Sequence, residues 1–122
     1  MQNNLRIESG FWYLCSPYSR YHAGIDEAAR VAAKIAGELT RLGIWAYSPI
    51  AETHAIAKAA GIDPFDHDLW MNRDTPFMRA AHGLIVAEMR GWDESVGVKT
   101  EIRIFTESGK PVVHLAPASV IP

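Results

Sequence analysis

The chain has 122 residues, 48% of them hydrophobic and 21% charged, with a formal net charge of −2. That is ordinary composition for one globular domain, and it excludes a disordered segment or a dedicated nucleic-acid binder, which carries a strongly basic surface. A lone cysteine, Cys15, excludes a disulfide framework and any multi-cysteine zinc or iron–sulfur centre, and no apolar stretch approaches the ~18 residues of a membrane span. The opening Met1-Gln-Asn-Asn-Leu-Arg6 lacks the apolar core of a signal peptide, so the expectation is a soluble cytoplasmic domain.

Phe11–Cys15 is a short apolar run with three aromatics, halted by Ser16-Pro17, and predicts a buried strand. Ile25, Ala28, Ala32, Ile35, Leu39 and Leu42 then recur at steps of three and four, the stripe of an amphipathic helix. Asp26 and Glu27 sit in its first turn, where the helix dipole favours anions, and Gly43 is a natural stop. Ile44–Ser48 predicts a second strand halted by Pro49, and Ala51–Ala60 a short helix closed by Gly61. Asp66–Ala81 is helical in pattern but interrupted at Thr75-Pro76, where Asp74 or Thr75 could cap a fresh helix. Leu84–Glu88 is the third strand, Ser95–Ser108 a helix with Val98, Ile102 and Phe105 inward, and Lys110–Leu115 the fourth strand.

Strands alternating with helices predict an α/β domain: a single flavodoxin-like or Rossmann-like three-layer sandwich around a mainly parallel sheet of four to five strands. Ligands in such folds bind beyond the carboxyl ends of the strands, which directs attention to 16–20, 48–54 and 89–101. Cys15 and Arg20 suggest a thiolate phosphatase loop, but only four residues separate them where that chemistry needs five, so Cys15 is expected to be an inert buried thiol. Neither of the common glycine-rich phosphate loops is present. Ser16, Ser19 and Arg20 can offer hydroxyls and charge to a small anion, or one hydroxyl can cap the first long helix. Asp66-His67-Asp68, with His54, offers metal-ligand chemistry, although adjacent helical residues point in different directions.

Ser95-Val-Gly-Val-Lys-Thr-Glu101 opens a helix directly after the third strand. Gly97 lets a ligand approach the backbone, while the first-turn amides and the Ser95 hydroxyl suit an anion. Glu101 lies nearly two turns on, at the border of the buried stripe; the alternative is a surface glutamate paired with Arg103 or Lys99.

Trp12-Tyr-Leu-Cys-Ser-Pro-Tyr-Ser19, Ala46-Tyr-Ser-Pro-Ile50, the segment Arg73–Glu88, Ser95-x-Gly-Val-x-x-Glu101 and Gly109-Lys-Pro-Val112, in that order, resemble the nucleoside 2-deoxyribosyltransferase-like family, which includes deoxynucleoside 5′-monophosphate N-glycosidases. The resemblance spans most of residues 12–113. It implies Glu101 as a nucleophile, Asp74 as the acidic residue near the sugar and leaving base, Ser95 at a 5′-phosphate, and the loop 16–19 lining the same pocket. His82, Lys99, Thr100 and the bulky Gly91-Trp-Asp-Glu94 depart from the family pattern.

The chemistry suits these groups: a carboxylate beneath the sugar carbon stabilises or traps an oxocarbenium-like centre, and a second acid protonates the departing base. The expected substrate contacts are Tyr13, Ser16, Tyr18, Ser19, Arg20, Ser48, His54, Trp92, Ser95 and Gly97, with Trp92 and Tyr18 as candidates to stack on a nucleobase. Expected, then, is a cofactor-free and metal-free enzyme acting on a small nucleoside or nucleotide, with no nucleic-acid polymer or membrane as partner. A non-catalytic nucleotide-sensing module on the same fold is the alternative. The resemblance also implies a homodimer or higher homo-oligomer, with the apolar segment Phe65–Met78 as the contact.

Overall fold

Trp12–Cys15, buried along its whole length, forms β1, and its alternating side chains divide the interior in two. Trp12 and Leu14 point to one face of a parallel sheet and Tyr13 and Cys15 to the other, as the two-residue period of a strand requires. The structure, a computed structural model, describes residues 5–117. After β1 come α1 (Ile25–Arg41), β2 (Ala46–Tyr47), α2 (Pro49–Ala60), α3 (His67–Ala80), β3 (Gly83–Ala87), a 3-10 turn (Trp92–Glu94), α4 (Val96–Glu107) and β4 (Val112–Leu115). The sheet order is β2-β1-β3-β4, every neighbour parallel.

Ile35 and Leu39 of α1 pack on Trp12, Leu14, Ile85 and Ala87, while Met78 of α3 and Val98 and Phe105 of α4 pack on Tyr13, Cys15, Leu84 and Val86. Helices thus cover both faces, giving the three-layer flavodoxin-like sandwich expected from the alternation of elements. Each fully buried leucine or isoleucine in these layers contributes about 1.5–3 kcal/mol. Gly83 belongs where it stands because a side-chain carbon there would come within 2.7 Å of both the Pro111 carbonyl oxygen and the Trp12 ring.

Two element boundaries differ from expectation for local reasons. β2 is two residues rather than five because Ser48 turns the chain early, accepting from the Ala51 amide at 3.2 Å as the N-cap of α2 with Pro49 in its first turn. The second difference bears on chemistry. α3 runs unbroken through Pro76, capped at its start by Asp66, whose carboxylate accepts from the Leu69 amide at 3.4 Å. Neither Asp74 nor Thr75 is a cap: the Thr75 hydroxyl donates to the Met71 carbonyl at 2.7 Å within the continuous helix. The Asp74 carboxylate is therefore not engaged in holding a helix end.

Candidate active site

β2 and β3 flank β1 on opposite sides, so the connections leaving the carboxyl ends of β1 and β3 diverge in opposite directions. A crevice opens at such a switch point. Here it is a cavity of about 320 Å³, walled by Ser16, Tyr18 and Ser19 after β1 and by Ser95, Val96, Gly97 and Glu101 at the start of α4. Asp74, Met71 and Trp70 of α3 form a third side.

Two carboxyls meet one phenol at the base of this cavity. The Tyr13 hydroxyl, carried on β1 into the sheet interior, donates to Oε2 of Glu101 at 2.9 Å. Burial pushes the Tyr13 pKa far up, with Glu101 and then Asp74 adding to it, so the phenol keeps its proton and serves as donor. Glu101 is half-covered because it lines the opening. Desolvation of its carboxyl nevertheless raises its pKa to about 8, with the Tyr13 hydrogen bond opposing and the Asp74 charge assisting. Desolvation likewise lifts Asp74 to about 6, against the pull of Arg73 and the Tyr13 hydroxyl. One Asp74 oxygen, Oδ1, is buried without a hydrogen-bond partner. A pair of carboxyls with both pKa values raised, at the wall of a cavity, holds about one proton between them near neutrality.

Asp74 is held in place from behind. Its neighbour Arg73 pairs with Glu52 of α2 and donates to the Tyr47 hydroxyl at 3.2 Å, while the Tyr47 ring stacks on Phe77 with centroids 4.4 Å apart. These contacts fasten α3 to α2 and β2. The surface pairing of Glu101 with Arg103 or Lys99 does not form, because its partner is Tyr13.

Ser95 caps α4, accepting from the Val98 amide at 3.2 Å, and its carbonyl accepts from Lys99. The amides of Val96 and Gly97 are the first-turn donors left, and both residues line the cavity. Ser16 Oγ is buried without a partner, whereas α1 has Gly24 at its N-cap position and no side-chain cap, so no serine of the β1 loop caps that helix. Cys15 is fully buried, its thiol pushed up by burial and by the nearby Glu101, consistent with an inert role.

Of the twelve expected site residues, seven line the cavity: Ser16, Tyr18, Ser19, Asp74, Ser95, Gly97 and Glu101. The remaining five lie elsewhere. Tyr13 stands behind Glu101, His54 bonds the Tyr18 hydroxyl at 2.7 Å, and Ser48 is engaged in capping α2. Arg20 is exposed in a turn outside the lining. Trp92 is also outside it, packed edge-on against His114 with centroids 5.2 Å apart. The aromatic and apolar wall comes instead from Phe65, Trp70 and Met71, with Ile50, Thr53, Pro64 and His67 beside them. The signal for these was the Asp63-Pro64-Phe65 turn, which follows the second strand's helix and returns the chain to the ligand edge.

His54, Asp66 and Asp68 do not converge: His54 is bonded to Tyr18 and Asp26, and Asp66 caps α3. Among the described residues no three histidine, cysteine, aspartate or glutamate side chains form a metal-holding group, and no helix is long and apolar enough to cross a membrane.

Residues 10–116 match the family described as domain of unknown function (DUF1937), and the chain belongs to that family. No curated protein matches the sequence.

Proposed function

We propose that the protein cleaves, or transfers the sugar of, the N-glycosidic bond of a nucleoside or nucleoside 5′-monophosphate, with Glu101 as nucleophile and Asp74 as general acid. The observation that carries this reading is the Glu101–Tyr13 hydrogen bond beside Asp74, two carboxyls with raised pKa values facing one cavity. Supporting it are the amides of Val96 and Gly97 with the hydroxyls of Ser16 and Ser95, which suit a phosphate, and the aromatic rings of Tyr18, Phe65 and Trp70, which suit a base. The volume, about 320 Å³, is at the small end of ligand pockets, which run ~300–1,000 Å³.

At rest the two carboxyls hold about one proton between them. In the reacting form that proton is on Asp74. The freed Glu101 carboxylate then attacks C1′ as the C1′–N bond breaks, and the bonding pair leaves with the base nitrogen, which takes the proton from Asp74. Water attacks C1′ of the glycosyl ester, gives its proton to Asp74, and releases Glu101; a second base attacking instead makes the reaction a transfer.

Turnover then requires one proton on the pair. Below about 6 both groups are protonated and the nucleophile is lost; above about 8 both are charged and the acid is lost. A bell-shaped pH–rate profile with limbs near those values is expected. The deciding experiment incubates the protein with a panel of nucleosides and their 5′-monophosphates and detects free base by chromatography. Release is expected, falling ~10⁴-fold or more in Glu101→Gln. Turnover that survives Glu101→Gln refutes the mechanism, and calorimetric binding without base release assigns a non-catalytic nucleotide module instead. The exposed Phe65 at the cavity and the exposed Leu69 of α3 suit a homodimer contact, which light scattering after gel filtration tests.

A further inference from the structure

Three elements are joined by one line of hydrogen bonds through Tyr18, His54 and Asp26. Tyr18, in the loop after β1, lines the cavity, and its hydroxyl lies 2.7 Å from Nδ1 of His54 in α2. His54 Nε2 lies 2.9 Å from Oδ1 of Asp26 in the first turn of α1. Lys58, one turn further along α2, donates to the same Asp26 oxygen at 3.3 Å. His54, Asp26 and Lys58 border a neighbouring hollow of about 280 Å³, and Pro64 lines both spaces.

The direction of each hydrogen bond follows from the chemistry of the groups. Lys58 and, secondarily, His54 hold the Asp26 carboxyl below the ordinary carboxylate range, so it is ionised and can only accept. Nε2 must therefore carry a hydrogen. In a neutral ring Nδ1 is then the acceptor, and the hydrogen it takes from Tyr18 is the phenolic one. Burial, then the Asp26 charge, pushes the Tyr18 pKa up, so the phenol keeps that hydrogen. With its only hydrogen committed to His54, the Tyr18 oxygen retains lone pairs and nothing to donate.

We infer that Tyr18 is a fixed hydrogen-bond acceptor on the cavity wall, selecting ligands that present an O–H or N–H there, with His54 and Asp26 as positioning residues that set its polarity. The serine hydroxyls of the same wall can rotate to donate or accept, whereas Tyr18, beside a neutral His54, cannot. A site built around a fixed acceptor rejects an analogue lacking the matching donor, because the acceptor is left unpaired. The choice of ligand, though not the polarity of Tyr18, rests on the nucleotide reading. Two of the donors an adenine nucleotide offers are a sugar hydroxyl and the exocyclic amine of the base.

Two measurements test this. Nitrogen NMR of protein with labelled imidazoles, at a pH where the ring is neutral, is expected to show Nε2 protonated and Nδ1 bare in the ligand-free chain. Nδ1 protonation as the major form overturns the inference. Asp26→Asn supplies a group that can donate to Nε2, so the tautomer preference is expected to collapse; the Asp26 side chain is 74% exposed, and the substitution leaves the core alone.

Calorimetry in the Glu101→Gln background, where no probe is consumed, then compares three nucleotides. They are 2′-deoxyadenosine 5′-monophosphate, its 2′,3′-dideoxy counterpart and the purine analogue without the amine. Loss of the recognised donor is expected to weaken Kd roughly tenfold to a hundredfold. Whichever analogue weakens identifies the source of the hydrogen. Tyr18→Phe and Asp26→Asn are both expected to erase that ratio, and a ratio that survives Tyr18→Phe overturns the inference. A chain with the expected tautomer that binds none of the three refutes the nucleotide reading and leaves the polarity of Tyr18 standing.

Discussion

Trp12 and Tyr13 are consecutive, fully buried aromatics on one strand, each with a single polar handle, and they face opposite layers. The Trp12 indole donates to the Leu5 carbonyl at 2.7 Å, closing a layer whose buried residues are otherwise apolar, with Tyr21 and His82 at its margin. The Tyr13 hydroxyl instead donates to a carboxyl at the edge of a cavity. A buried polar group must find a partner, and the kind of partner distinguishes the two layers. A backbone carbonyl makes the contact structural, whereas a carboxyl with a raised pKa at a cavity makes it a candidate site.

That contrast can be broken in three ways. Trp12→Ala removes a buried ring from the structural layer and is expected to cost about 3–5 kcal/mol in denaturant titration. Both limbs of the pH–rate profile should stay where they are in the protein that remains folded; movement of either limb would unite the two layers. The next effect is the pH dependence of stability. The Glu101 pKa is raised on folding from 4.5 to about 8, so the folded state holds a proton the unfolded state has released. Unfolding releases protons across that window, and stability falls as pH rises from 4.5 to about 8, then levels. Asp74 adds to the fall only up to about 6. Melting temperatures across pH 6 to 8 should therefore decline, and Glu101→Gln should flatten that decline. The smallest effect on stability is that of Tyr13→Phe, about 1 kcal/mol. Its signature is kinetic: the hydroxyl that lowers the Glu101 pKa is gone, so the alkaline limb should move to higher pH while turnover drops roughly tenfold. An unmoved limb would assign Tyr13 the same structural part as Trp12.

The parallel sheet and its helices were legible because each element announces itself locally. The stripe from Ile25 to Leu42 has helical spacing, and β1 and β3 are apolar runs bounded by breakers. The carboxyl edge as the side that bears the cavity followed from that order of elements, and with it Ser16, Ser95 and Glu101. Proline misled at Pro76, where tertiary packing carries α3 through a residue that sequence rules treat as a break. Trp92 and Phe65 could not be ranked from the sequence. Both are aromatics in loops, and only the path of the chain turns one toward His114 and the other into the cavity. The line from Tyr18 to Asp26 was equally hidden, since its members are 28 and 36 positions apart at each link.

The two edges of the sheet differ in how they meet other chains. β2 presents only Ala46 and Tyr47, too short a ladder to seed pairing with a foreign strand. β4 is four residues long, with exposed His114 tied to Glu88 at 3.1 Å, a polar pair that interrupts an otherwise apolar Val112–Leu115. Among the described residues the longer edge, and with it the greater risk of fibrous association, is on the β4 side. Replacing His114 with a β-branched residue would remove the polar guard on the longer edge.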